Sequence, residues 1–229
     1  MTAAQLLLDF DGTITLQDTV DAILERFADP SWREVEREWT KGKIGSRECL
    51  ARQVALIRAT PEEINALVDT IEIDPGFGAF MSVCSELGYS VTIVSDGFQS
   101  NVARVLARAN IQCASKASSL VYLGNRRWRL ESPFAQRFCD EGNSTCKCAV
   151  EAGYAGPTIL VGDGRSDFCV AEKTDFVLGK GTLAKRCEEE GIAHAPIANL
   201  SDAVKLLRSG PVNIDTSLPA HAKFEVETR

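Results

Sequence analysis

Apolar and polar positions along this chain alternate between two patterns, short continuous apolar runs and apolar residues recurring every three or four positions. Leu6-Leu7-Leu8, Val91-Thr92-Ile93-Val94, Ile159-Leu160-Val161 and Phe176-Val177-Leu178 are runs of the first kind. They predict strands buried on both faces, as in a parallel sheet. Between the first and second runs the spacing turns helical. Val20, Ile23, Leu24 and Phe27 come first, then Trp32, Val35 and Trp39, then Leu50, Val54 and Ile57, and finally Ile64, Leu67 and Val68. The last of these helices should start with Thr60 as N-cap and Pro61 at its first position. So many helices exceed what one strand-to-strand crossover needs, and residues 14–73 are predicted to be an inserted helical subdomain.

Pro75-Gly76 restarts the main domain. A helix through Phe80, Val83, Cys84 and Leu87 stops at Gly88, where a left-handed residue fits. Further along, the pattern predicts a helix from about Val102 to Ala109, a short strand near Ile111 to Cys113, and a β-hairpin over 119–131 turning at Gly124-Asn125. Leu200 to Leu207 should close the domain as a helix capped by Ser201 or Asn199. The fold class expected is α/β, a Rossmann-like parallel sheet with helices on both faces, built from residues 1–13 and 74–209. Residues 210–229, with mixed polarity and two prolines, read as a flexible tail.

Composition narrows the partners. Across 229 residues the hydrophobic content of 45% and charged content of 25% are those of an ordinary globular chain. A net charge of −7 argues against a nucleic-acid surface, and the basic run Arg126-Arg127-Trp128-Arg129 is short and reads as a solvated hairpin. No apolar stretch approaches the roughly 20 residues a bilayer requires, so no membrane partner is expected. The N-terminus runs directly into the first strand, which leaves no room for a signal peptide and makes the cytoplasm the expected location. The eight cysteines mostly sit singly in apolar patterns and read as small buried hydrophobes. Cys139, Cys146 and Cys148 are closer together, but no fourth ligand has zinc-site spacing.

The candidate chemistry sits at strand ends. Asp9 and Asp11 follow the first apolar run two positions apart, before Gly12-Thr13. Two such carboxylates aimed at one point repel by up to about 4 kcal/mol at 4 Å when the effective dielectric is near 20. A fold tolerates that where a cation, a shared proton or a reaction needs both groups. Ser95-Asp96-Gly97 and Gly162-Asp163-Gly164, with Asp167 beyond, follow two further runs. In a parallel α/β sheet ligands bind outside the carboxyl ends of the strands, so one active site accounts for all three.

In order along the chain, Asp9-Phe10-Asp11-Gly12-Thr13, Ser95-Asp96-Gly97, Lys147 and Gly162-Asp163-Gly164-Arg165-Ser166-Asp167 resemble the four motifs of the haloacid dehalogenase superfamily of phosphotransferases. The resemblance covers residues 5–208 and is most specific in the first and last motifs. It implies a phosphatase in which Asp9 is the nucleophile and Asp11 the general acid and later base. It implies Mg²⁺ held by the Asp9 side chain, the Asp11 carbonyl and the Asp163 side chain, with Asp167 orienting Lys147 or a metal-bound water. Ser95, the Gly97 amide and Lys147 would hold phosphoryl oxygens. Dehalogenases of the superfamily differ at the position of Asp11, so phosphoryl transfer is expected.

The inserted helices resemble the cap of phosphoserine phosphatases, in which an acidic residue nine positions after the nucleophile receives the substrate amine; Asp18 has that offset. The cap arginine that would bind the substrate carboxylate falls near Gln53, with Arg47 a possible substitute. This departure turns the resemblance toward the methionine-salvage phosphatases acting on 2-hydroxy-3-keto-5-methylthiopentenyl-1-phosphate. Trp32, the Cys139 to Cys148 stretch and the segment from Asp163 to Cys187 carry that likeness. The expected partner is a small phosphorylated metabolite, and the expected assembly a monomer or homodimer. Phosphoserine is the alternative substrate. A receiver-like domain or an inactive phosphate-binding module are the readings of another class; the first needs no helical insert and the second no intact Asp9, Asp11, Lys147 and Asp163.

Overall fold

The computed structural model describes residues 4–137, 139 and 142–209; the expected tail at 210–229 lies outside the described residues. The elements, in chain order, are β1 (Gln5–Leu8), α1 (Thr19–Phe27), α2 (Trp32–Thr40), α3 (Ser46–Val54), α4 (Pro61–Thr70), α5 (Phe77–Glu86), β2 (Ser90–Phe98), α6 (Gln99–Ala109), β3 (Ala114–Gly124) and β4 (Arg127–Glu131). They continue with α7 (Lys147–Glu151), β5 (Thr158–Gly162), a 3₁₀ turn at Arg165–Asp167, α8 (Phe168–Ala171), β6 (Phe176–Gly179), α9 (Gly181–Glu190), β7 (His194–Pro196) and α10 (Leu200–Ser209). The strands form a seven-stranded, mostly parallel sheet in the order β4-β3-β2-β1-β5-β6-β7, as the α/β reading anticipates. No helix among the described residues is long and apolar enough to cross a membrane.

The chain divides into two compact units. Described residues 4–14, 74–92 and 147–209 make the first. In it β1, β5, β6 and β7 pair in parallel, with Leu8 opposite Val161 and Gly162 opposite Gly179. Leu6, Leu7, Leu8, Ile159, Leu160 and Val161 are all fully buried, which is why these runs carry no polar alternation. Each such side chain contributes about 1.5–3 kcal/mol by leaving water. Asp74 joins the re-entry of the chain to the closing helix, accepting from Gly76 N at 2.8 Å and Leu200 N at 3.1 Å. Gly76 is needed there, because a Cβ would strike the backbone of Ser201.

The second unit holds residues 15–73 with the described part of 93–146, so β2 starts in one unit and ends in the other. The four expected helices α1 to α4 are present. Thr60 and Glu63 cap α4 reciprocally, at 2.7 Å and 3.3 Å, with Pro61 in the first turn as the sequence signals. Within this unit α4 packs on α6 and α3 on β4. The buried Trp128 of β4 donates its indole N–H to Ala59 O at 2.9 Å, and Arg126 donates to Arg58 O at 3.0 Å.

Several expectations need correction. No strand forms at 111–113; β3 begins at Ala114 and runs straight into the hairpin. The hairpin turn is Asn125-Arg126, both with positive φ, one residue later than read, as a two-residue turn matched to strand twist requires. Ser95-Asp96-Gly97 lies inside β2 rather than beyond it, and Phe98 is the N-cap residue of α6. Helix α9 and strand β7 were not anticipated. Leu183 and Cys187 give α9 only two buried positions, and β7 is a three-residue edge strand ending in proline. Half of the cysteines, Cys113, Cys139, Cys148 and Cys169, are partly exposed rather than buried.

Candidate active site

Strand β1 carries the chain to its decisive residue. Asp9 N donates to Val161 O at 2.8 Å, which extends the parallel ladder one residue past β1 and places the Asp9 carboxylate at the carboxyl end of the sheet. The chain then turns under Phe10, whose carbonyl accepts from Ile14 N at 2.8 Å. Gly12 makes this turn at φ +74°, and a Cβ there would overlap Asp163 Oδ2. Asp163 follows β5 directly, as Asp9 follows β1, so adjacent strand ends present both carboxylates. Asp11 is partly exposed on the turn between them in sequence.

Lys147 is completely buried at the start of α7. Its Nζ donates to Asp9 Oδ1 at 2.6 Å, to Asp167 Oδ1 at 2.5 Å and to Ser166 Oγ at 3.3 Å. A solvated lysine at a helix start would look quite different. The second Asp167 oxygen accepts from Asp163 N at 3.2 Å and Gly164 N at 3.4 Å, so this carboxylate holds both Lys147 and the Asp163 loop. Gly162 allows it: a Cβ there would overlap Asp167 Oδ2. Asp9 Oδ2 accepts from Thr13 Oγ1 at 3.4 Å.

Oxygens of Asp9, Asp163 and Asp167 lie within 4.8 Å of one another, the only such grouping of three His, Cys, Asp or Glu side chains among the described residues. Cys139, Cys146 and Cys148 form no such grouping among the described residues. Burial pushes Asp9 up to about 6, with Asp163 repelling it and Lys147 pulling back. Asp167 also stands at about 6, through burial first and the Asp9 charge after it. Asp163 is raised by burial and by Asp167. Burial alone would pull the Lys147 ammonium down, but Asp167 and Asp9 together outweigh it and hold it above the ordinary lysine range. Three clustered carboxylates against the Lys147 and Lys180 ammonium groups stay net negative when ionised. The all-oxygen donor set and its residual charge fit a hard divalent cation.

In the second unit the expected substrate residues are held in different ways. Asp18 is the N-cap of α1, accepting from Val20 N at 2.8 Å and Asp21 N at 2.9 Å. Solvent reaches its side chain, yet protein surrounds it; the resulting desolvation, then Asp21, push it up to about 6. Gln53 is buried on α3 and donates from Nε2 to Glu36 Oε2 at 2.8 Å. Arg47 is exposed, and its backbone N–H donates to Gly142 O at 2.8 Å. Ser95 is buried and its Oγ accepts from Gly97 N at 2.8 Å.

The model of the family described as haloacid dehalogenase-like hydrolase matches residues 6–172, which hold all of the acidic cluster. The chain belongs to this family. As a family member it is 28% identical over 209 residues to a 2-hydroxy-3-keto-5-methylthiopentenyl-1-phosphate phosphatase of Brevibacillus brevis, covering 89% of this chain and 94% of that one. The phosphatase of the same name from Geobacillus kaustophilus is 29% identical over 213 residues, with the same coverage. Among solved structures, a phospho-aspartyl intermediate analogue of phosphoserine phosphatase superposes with a TM-score of 0.71 at 19% identity, covering 90% of this chain and 99% of that one. That last likeness establishes the fold.

Three side chains of this haloacid dehalogenase-like hydrolase escaped the sequence reading. Lys180 follows β6 and donates from Nζ to Gly12 O at 2.8 Å, bracing the Asp9–Thr13 turn while its charge bears on Asp163. It stands at the carboxyl end of a buried parallel strand, the same signal that marks Asp9, and that rule alone could have found it. Asp96 accepts from Ser46 Oγ at 2.8 Å and Thr145 N at 2.7 Å, tying three distant segments of its unit. Glu36, the partner of Gln53, carries no such signal, since one glutamate in a charged helix looks like any other.

Proposed function

We propose that this chain, a phosphomonoester hydrolase of the haloacid dehalogenase-like family, moves the phosphoryl group of a small phosphorylated metabolite first to Asp9 and then to water. The observation that carries this reading is the Asp9 carboxylate, buried, tied to Lys147 at 2.6 Å and grouped with Asp163 and Asp167. An oxygen nucleophile kept out of bulk water and close to a fixed ammonium group is suited to attack a phosphate, whose own charge repels nucleophiles in solution. Attack forms the Asp9 acyl-phosphate and breaks the bond from phosphorus to the ester oxygen. Asp11 gives that oxygen a proton, then takes one from the water that hydrolyses the adduct. Lys147, with the Ser95 hydroxyl and Gly97 amide assigned by the resemblance, holds phosphoryl oxygens as charge redistributes.

Asp9, Asp163 and the Asp11 carbonyl are the ligands we assign to Mg²⁺, with Asp167 setting Lys147. When bound, the cation supplies charge neutralisation for the carboxylates and the phosphoryl group. For the substrate, the named relatives support 2-hydroxy-3-keto-5-methylthiopentenyl-1-phosphate. So does Gln53, which stands where a carboxylate-binding arginine would be expected and is already held by Glu36. Asp18, at the amine-binding offset, is the one feature favouring phosphoserine. The test is phosphate release from a panel containing both esters, phosphocholine and sugar phosphates, with Mg²⁺ and with chelator. Turnover that needs the cation, favours the methylthio compound and leaves acid-trapped phosphate on Asp9 is expected. No phosphate release from any ester, with no label on Asp9, overturns the reading.

A further inference from the structure

Lys147 and Asp167 form an ion pair at the site, and each has a cysteine close behind it in the chain. Cys148 is the second residue of α7, and Cys169 the second of α8. Their sulfurs lie 3.3 Å apart, and both side chains are partly exposed. The two short helices pack against each other. By contrast Cys49, Cys84, Cys146 and Cys187 are buried. A disulfide bond is about 2.05 Å long, so closing this pair requires an approach of a little over 1 Å.

We propose that Cys148 and Cys169 are a dithiol site that accepts oxidising equivalents from a low-molecular-weight disulfide, and that the resulting cross-link disturbs the Lys147–Asp167 pair. One cysteine of the pair loses its proton and attacks a sulfur of the small disulfide, whose S–S bond breaks and releases one thiolate. The second cysteine, also losing its proton, attacks the mixed disulfide at the protein sulfur and releases the other thiolate. Both thiolates take up the protons given off. Two protein thiols are thereby oxidised by two electrons, and one small disulfide is reduced to two thiols. The cross-link joins the backbone one residue after Lys147 to that two residues after Asp167. These residues otherwise meet through the 2.5 Å bond from Lys147 Nζ to Asp167 Oδ1. Drawing the helices together moves both ends of that bond, and displacements near 1 Å at a reacting centre can cost about 10²-fold in rate.

The covalent step stands apart from the phosphatase reading, whereas its effect on turnover rests on that reading, and one experiment separates them. The full chain is equilibrated in glutathione buffers of increasing oxidised fraction, alkylated, digested and mapped by mass spectrometry, with phosphate release measured alongside. A peptide pair joined through Cys148 and Cys169 should accumulate and disappear with dithiothreitol. Turnover should fall about 10–100-fold in step and return on reduction. Cys148→Ser and Cys169→Ala should each leave glutathione on the remaining cysteine, and the doubly substituted protein should keep its activity throughout. Absence of the joined peptide at every ratio overturns the site. A cross-link that leaves turnover unchanged, or an equal loss of turnover in the double variant, overturns the coupling to Lys147 and Asp167. If the reduced protein releases no phosphate at all, the peptide map still decides the covalent step.

Discussion

The acidic cluster of the first unit and the polar side chains of the inserted helices draw on similar residue types and bind them in opposite ways. Around Asp9 the partners come from distant parts of the chain, at separations of 138 residues to Lys147 and 168 from Lys180 to Gly12. Asp9 and Asp163 there hang from strand ends whose positions the sheet register determines, and Asp167 sits on the 3₁₀ turn that follows β5. Among the inserted helices, Asp18 caps its own helix, and Gln53 is held by Glu36 from the neighbouring one. On the proposed reading, the chemistry centres on Asp9 and Asp163, whose backbone cannot shift without breaking a parallel ladder. On that same reading, selectivity would rest on the helix faces. A family that keeps one reaction and varies its substrates needs that division.

The sharpest way to break this contrast is to remove the nucleophile. Asp9→Asn should retain the fold, with an unchanged circular dichroism spectrum, and lose at least about 10⁴-fold in turnover, as loss of a nucleophile does elsewhere. A loss below tenfold would return Asp9 to the rank of a structural acid. Lys147→Met should cost both ways. Removing one partner of a buried charge network leaves the others unpaired, a penalty of about 3–5 kcal/mol seen as a lower urea midpoint. Turnover should fall by about 10²–10³-fold with it. A stable Lys147→Met protein with normal turnover would mean that the 2.6 Å and 2.5 Å contacts are incidental.

The other side of the comparison is tested at Gln53. Gln53→Leu removes the donor to Glu36 and leaves that carboxylate without its 2.8 Å partner. The expected result is a change of about three- to tenfold in kcat/KM for the preferred ester, corresponding to the roughly 1 kcal/mol of one hydrogen bond. Hydrolysis of a small generic phosphate ester should hardly change. Equal loss on both esters would place Gln53 in support of the whole fold and remove these helices from the choice of substrate.

What the sequence makes legible follows the same line. The runs Leu6-Leu7-Leu8 and Ile159-Leu160-Val161 announce buried parallel strands, and two strands so paired bring the residues just beyond them together. Asp9, Lys147, Asp163 and Asp167 could therefore be named from motif and order alone. The helix start at Thr60 and Pro61 was equally plain, because its whole signal lies within two residues. Lys180 was missed although its strand was seen, since no carboxylate or glycine motif draws attention to it. Asp96, Glu36 and the pairing of Cys148 with Cys169 were beyond reach for another reason. Each depends on how short helices and loops pack, and periodicity marks a helix face without saying which residue on the next element it will meet.

A smaller effect separates the two kinds of carboxylate by pH. Asp9 and Asp167 stand at about 6, against an ordinary 3.8, chiefly through burial. Between those values the native protein binds protons that the unfolded chain has already released. Without a divalent cation, stability should therefore rise as pH falls from about 7 to about 5, levelling off near 4. Three other acids behave in the reverse sense: Asp29 is held below the ordinary range by Ser31, Glu38 by Arg52 and Asp69 by Arg104. What they contribute is lost only as pH drops through about 4 and below, outside that window. Added Mg²⁺ competes with the protons for the same oxygens, so its stabilisation should be largest at about pH 7 and shrink by about pH 5. Melting curves in chelator and in Mg²⁺ at both pH values measure each slope. A chelated protein that loses stability steadily between pH 7 and 5 would show that the Asp9 cluster is not the strained, cation-seeking group its burial implies, and the contrast with those three acids would vanish with it.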